Sequence, residues 1–68
     1  MIEKTEFQVL DMHCVHCVKH IEESIKKLKG VKKVEINLES KSVTIWHKDK
    51  IKAEEIKEAI VLSGYTPQ

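Results

Sequence analysis

Phe7 and Val9 alternate with Glu6 and Gln8, a period of two that predicts a half-buried strand from about Lys4 to Leu10. From Val15 to Lys29 the spacing changes. Val18, Ile21, Ile25 and Leu28 recur as one helical stripe, and Glu22/Lys26 and Glu23/Lys27 make favourable i,i+4 pairs on the wet side. Gly30 supplies the helix stop. Val34, Ile36 and Leu38 alternate with Lys33, Glu35 and Asn37. Beyond the polar Glu39-Ser40-Lys41 connection, Val43, Ile45 and His47 keep the same period, which makes a hairpin whose second strand ends in a solvated His47. From Lys52 to Ser63 the pattern is helical again, with Ala53, Ile56, Ala59 and Ile60 facing inward and Gly64 ending the run. Tyr65 and Thr66 remain for a short last strand. Pro67 has no N–H to give a ladder, so that strand belongs at a sheet edge.

The predicted order is β-α-β-β-α-β, an α+β, ferredoxin-like sandwich in which two helices cover one face of a four-stranded antiparallel sheet. The other face carries Glu6, Gln8, Lys33, Glu35, Ser42 and Thr44 and reads as solvated. Trp46 is the exception on that face; it either packs over long side chains at the sheet edge or marks an interface. Residues 1–68 form a single domain, and chains of this size bury only about 60% of their unfolded surface, which leaves no room for a deep substrate cavity.

Charge narrows the picture further. Twelve lysines against eleven acids give a net charge of +1, and arginine, the bidentate reader of bases and phosphates, is absent, so no nucleic-acid partner is expected. No apolar run approaches the about 18 residues of a membrane span, and no signal-peptide core is visible, so the chain reads as cytoplasmic.

The candidate chemistry lies where the first strand gives way to the first helix. Cys14 and Cys17, the only two cysteines, stand there as C-x-x-C. At a helix start their sulfurs lie near unpaired N–H groups and the positive end of the helix dipole, which favours thiolate. Thiolate is the form that binds a soft metal or exchanges disulfides. A structural disulfide is the weakest reading, because cytosolic thiols stay reduced and so short a loop constrains the unfolded chain little.

A strand, then Met12-His13-Cys14-Val15-His16-Cys17 opening a helix, then a hairpin, a second helix and Gly64-Tyr65 resembles the heavy-metal-associated domains, whose motif reads G-M-[TS]-C-x-x-C. The likeness covers nearly the whole chain and is closest to the family's small copper chaperones. It implies that Cys14 and Cys17 hold Cu(I), that Met12 is a buried support for the loop, and that Tyr65 is an outer-shell group near the metal. Asp11 stands where the family usually has Gly, and His13 where it has Thr or Ser. The chain also stops sooner after Gly-Tyr than is typical, which makes the last strand vestigial. The partner implied is the metal-binding domain of a copper-transporting P-type ATPase.

Coordination chemistry supports the same metal. Two thiolates satisfy a soft monovalent ion, whereas a closed structural zinc site takes four ligands and no second C-x-x-C exists here. Zn(II) or Hg(II) binding in vitro is compatible with the sulfurs. With the Val18–Ile21–Ile25–Leu28 stripe inward, Cys17 falls on its flank and Cys14 in the preceding loop, giving one half-buried sulfur and one open to exchange. His13 is a candidate third ligand, His16 a candidate for tuning the loop by its charge, and His16 with His20 a less favoured chelating pair. Met12, despite its thioether, reads first as core. Lys19, Lys26, Lys27 and Lys29, followed by Lys32 and Lys33, form either a solubilising face or a weak docking surface for an acidic partner. Three function classes compete. They are a soluble, non-enzymatic Cu(I) carrier, a detached metal-binding domain of a copper or mercury system, and a dithiol oxidoreductase. A carrier is expected to be monomeric when metal-free and to form a copper-bridged dimer through open sulfurs.

Overall fold

The computed structural model describes residues 1–68. Its elements are β1 (Ile2–Gln8), α1 (Val15–Lys26), β2 (Val31–Asn37), β3 (Ser42–Lys48) and α2 (Ala53–Leu62). The strands form a three-stranded antiparallel sheet in the order β1-β3-β2. On β3 the inward positions Val43, Ile45 and His47 are buried. They join Ile21 and Ile25 of α1 and Ile56, Ala59 and Ile60 of α2 on the covered face, the apolar ones in a single core cluster with Val9, Met12 and Ile51. No helix is long and apolar enough to cross a membrane.

The expected fourth strand is reduced to one bridge, Val9 with Pro67, on the outer edge of β1. Gln8 and Gln68 exchange backbone hydrogen bonds of 3.1 and 2.7 Å beside it. Because Pro67 has no N–H and Thr66 donates its own to a side chain, the ladder does not extend. That bridge nevertheless fixes the C-terminal segment against β1.

Four further expectations are corrected by the packing. His47 is buried, not solvated, because β3 is the central strand and its inward face stays covered to the end. The Thr5 hydroxyl donates to His47 Nε2 at 2.7 Å and His47 Nδ1 donates to the Lys48 carbonyl at 2.9 Å, so both ring nitrogens are satisfied. Ala53 is exposed, and Ile51, in the turn before α2, closes that end of the core instead. Trp46 lies in mid-sheet, between its register partners Lys4 and Lys33, whose ammonium groups sit 5.8 and 5.1 Å from the ring centroid. Such stacking covers part of the ring with lysine side chains. Helix α1 ends at Lys26 rather than Lys29, and Gly30 serves the turn into β2.

Gly30 has φ +107, and a Cβ there would stand 2.9 Å from Ile51 Cδ1; Gly64 has φ +101 with open space around it. Gly30→Ala combines a strained backbone with a steric conflict, so urea denaturation should show a loss of about 1–3 kcal/mol. Gly64→Ala carries the backbone cost alone and should lose less. Equal stability of Gly30→Ala and the natural chain would contradict this packing.

Candidate metal centre

Three connections meet at one end of the sheet. The strand β1 delivers Leu10 to His13, the hairpin delivers Lys41, and α2 delivers Gly64 and Tyr65. Val9 N–H donates to the Lys41 carbonyl at 2.7 Å and Met12 N–H to the Val9 carbonyl at 3.3 Å, which folds the motif loop back on itself. Met12 is fully buried beneath the loop. Cys14 is the N-cap of α1 in extended conformation and makes no side-chain cap, so its sulfur is left to meet that of Cys17. Cys14 is exposed and Cys17 half-buried, as the helical register implies. Their sulfurs lie 3.3 Å apart.

Tyr65 is positioned by a helix ending of the Schellman type. Gly64 takes the left-handed conformation, Gly64 N–H donates to the Val61 carbonyl at 3.0 Å, and Tyr65 N–H to the Ile60 carbonyl at 3.3 Å. Asp11 then clamps the segment: its two carboxylate oxygens accept from Thr66 N–H at 3.3 and 3.2 Å. The residue in place of the motif's usual Gly therefore ties the metal loop to the Tyr65 segment.

Electrostatics follow from this placement. The Cys17 thiol is held down from its ordinary 9.0 to about 6, first by the Tyr65 hydroxyl, then by the His13 backbone amide and the Cys14 side chain, with burial opposing. Tyr65 moves the other way. It is pushed up to about 12, chiefly by hydrogen bonding to Cys17 and then by burial, both of which favour the protonated phenol. The reciprocal shifts describe a thiolate–phenol pair.

The remaining candidates are more dispersed. His13 is exposed, with Nδ1 3.3 Å from the Lys41 ammonium, and no three His, Cys, Asp or Glu side chains gather as a metal cluster. His16, His20, Lys19 and Lys26 are exposed on α1, as is Lys27 at its C-terminal cap, with Lys26 also 3.8 Å from Glu22. The wider of two shallow grooves lies between α1 and α2 and is lined by Lys27, Glu55 and Glu58 among others, away from the sulfurs. The sulfurs sit on an open end, not in a pocket. The sequence reading missed two residues, Asp11 and Lys41. Asp11 was visible as a departure from the motif, whereas Lys41 carried no signal beyond its place in a turn.

Two measurements on the metal-free chain check the thiolate. Alkylation of Cys17 should titrate with a midpoint near 6, and Tyr65→Phe should raise that midpoint by removing its largest cause. Between about 6 and 9.0 the unfolded chain keeps a proton that the folded chain has released. Folding stability should therefore rise with pH across that window and be lost as pH falls through about 6, and Cys17→Ser should abolish this dependence. A midpoint near 9.0 would contradict the pairing.

Comparison with known proteins agrees with the fold and the motif. Residues 6–66 match the heavy-metal-associated domain. The copper chaperone CopZ of Bacillus subtilis is 40% identical over 65 residues, covering 94% of each chain. The copper chaperone CopZ of Enterococcus hirae is 43% identical over 63 residues, covering 91% of each. Among solved structures, the N-terminal domain of a potential copper-translocating P-type ATPase from Bacillus subtilis, in its Cu(I)-loaded state, superposes with a TM-score of 0.93 at 32% identity, covering 100% of this chain and 86% of that one. With the motif, the element order and 61 of 68 positions (6–66) matched, the chain belongs to the heavy-metal-associated domain family.

Proposed function

We propose that the chain is a Cu(I) carrier that holds one ion between Cys14 and Cys17 and passes it by sulfur exchange to a copper-transporting P-type ATPase. The observation that carries this reading is the pairing of a thiolate-biased, half-buried Cys17 with an exposed Cys14, 3.3 Å apart on an open end of the molecule. Cys17 retains the ion while Cys14 is reached by an incoming thiolate. The new copper–sulfur bond forms as the bond to Cys14 breaks, a second recipient thiolate then displaces Cys17 in the same way, and copper stays at the same oxidation state throughout. A soft ion suits this route, because thiolate ligands select Cu(I) and two are enough.

Around the ligands, Met12 supports the loop from the core, Tyr65 donates toward the Cys17 sulfur without ligating copper, and His16 places an exposed imidazole between the two cysteines. Lys19, Lys26 and Lys27 supply a weak basic docking face, while Leu10, Val15 and Leu62 are exposed apolar residues suited to close approach. The recipient is the ATPase's own metal-binding domain, a reading supported by the closeness of this fold to the N-terminal ATPase domain described above. The same open sulfurs allow two loaded chains to share copper as a dimer, the metal-free chain being monomeric.

Anaerobic Cu(I) titration under reducing conditions tests the proposal. One ion per chain is expected, and Cys14→Ser or Cys17→Ser should each weaken binding by more than about a hundredfold by removing one of two ligands. Tyr65→Phe should keep the one-to-one stoichiometry with a change below about tenfold, as for a lost outer contact. Retained tight binding in either serine variant would overturn the two-sulfur site. Insulin reduction at the rate of a true dithiol oxidoreductase would replace the carrier with an enzyme.

A further inference from the structure

Lys41 is a lysine in a conformation that lysines seldom adopt. It has φ +58, ends the β2–β3 connection, and is half-buried. Three contacts hold it against the motif loop. Its carbonyl accepts from Val9 N–H at 2.7 Å, its ammonium donates to the Met12 carbonyl at 2.6 Å, and the same ammonium lies 3.3 Å from His13 Nδ1.

An ammonium only donates, so His13 Nδ1 is the unprotonated, accepting nitrogen and the ring proton resides on Nε2. A metal needs an imidazole lone pair. The lone pair of Nδ1 is directed at Lys41, and Nε2 has none free. His13 is adjacent in sequence to Cys14, as His16 is to Cys17, yet the His13 ring is turned to the hairpin. Zn(II) gains most from such a ligand, since it favours four nitrogen and sulfur donors, whereas Cu(I) is served by two sulfurs.

We propose that Lys41 is a specificity-determining residue that holds the His13 imidazole away from the cysteine sulfurs, keeping the site two-coordinate and disfavouring Zn(II). The inference rests on the reading of Cys14 and Cys17 as the metal ligands. Lys41 touches no metal; it acts through His13.

The test is a double-mutant cycle with Zn(II) and Cu(I) competition titrations on the natural chain, Lys41→Met, His13→Gln and the double variant. Methionine keeps an unbranched side chain and the same backbone cost at φ +58, while removing the donor and the charge. Loss of the charge alone raises affinity for any cation, and the His13→Gln background measures that part. The expected result is an extra gain in Zn(II) affinity of about fivefold, about 1 kcal/mol, when His13 is present, the size of one exposed hydrogen bond. Cu(I) affinity should show no such coupling. His13→Gln alone should leave Zn(II) affinity within about twofold, because a withheld group contributes nothing. Nitrogen NMR of the metal-free natural chain should show an accepting Nδ1 on His13 that changes in Lys41→Met.

Additive effects on Zn(II), or a several-fold loss of Zn(II) affinity in His13→Gln alone, would overturn the proposal. So would a His13 ring spectrum indifferent to Lys41. The ligand assignment fails by a different result: tight Cu(I) binding by the Cys14→Ser/Cys17→Ser chain, which the metal-free spectrum does not depend on.

Discussion

The electrostatic coupling between Tyr65 and Cys17 is the interaction on which the site depends. It is the largest influence on Cys17 and the largest on Tyr65, and it moves the two groups in opposite directions. A phenol that keeps its proton and donates it toward a thiolate moves both groups in these directions. Everything else at this end of the sheet serves to bring the two residues together across 48 positions of sequence (65 − 17). The left-handed Gly64 turns the chain out of α2, Asp11 pins Thr66, and the Val9–Pro67 bridge anchors the segment to β1.

The fold separates what must be firm from what must be open. Met12 and the isoleucines of both helices fill a dry core, so the loop's base is fixed by burial that is worth about 1.5–3 kcal/mol per large apolar side chain. The sulfurs sit beyond it with no pocket around them. A carrier needs that division, because a metal enclosed by a rigid shell on all sides is released slowly, and one on a mobile loop is bound weakly. The Lys41 ammonium donating to the Met12 carbonyl and the Asp11 carboxylate accepting from Thr66 N–H order the loop without covering Cys14.

Most of the fold was legible because each element carries its own period. The helices and the hairpin follow from alternation and helical spacing, and the cysteine pair from two residues at a strand-to-helix boundary. What was missed depends on partners distant in sequence. Val31 and Val34 both face inward although they are three positions apart, because an irregularity between Val31 and Lys33 shifts the register. No local pattern announces that shift. His47 looked solvated because a histidine at a strand end is usually wet; its burial follows from β3 becoming the central strand, and Thr5, which satisfies it, lies 42 positions away. Pro67 told where the last segment lies but not that it stops at one bridge. Lys41 was read as a turn residue, since the acceptors of its ammonium come from a loop 28 and 29 positions earlier.

The central claim is that copper is held by Cys14 and Cys17 while oxygen and nitrogen groups stay outside the bonding shell. X-ray absorption at the copper edge of the Cu(I)-loaded chain measures this directly. Two sulfur neighbours, with no nitrogen or oxygen at bonding distance, is the result expected from a thiolate pair beside a donating Tyr65 and a withheld His13. A shell made of nitrogen and oxygen without sulfur would contradict the account.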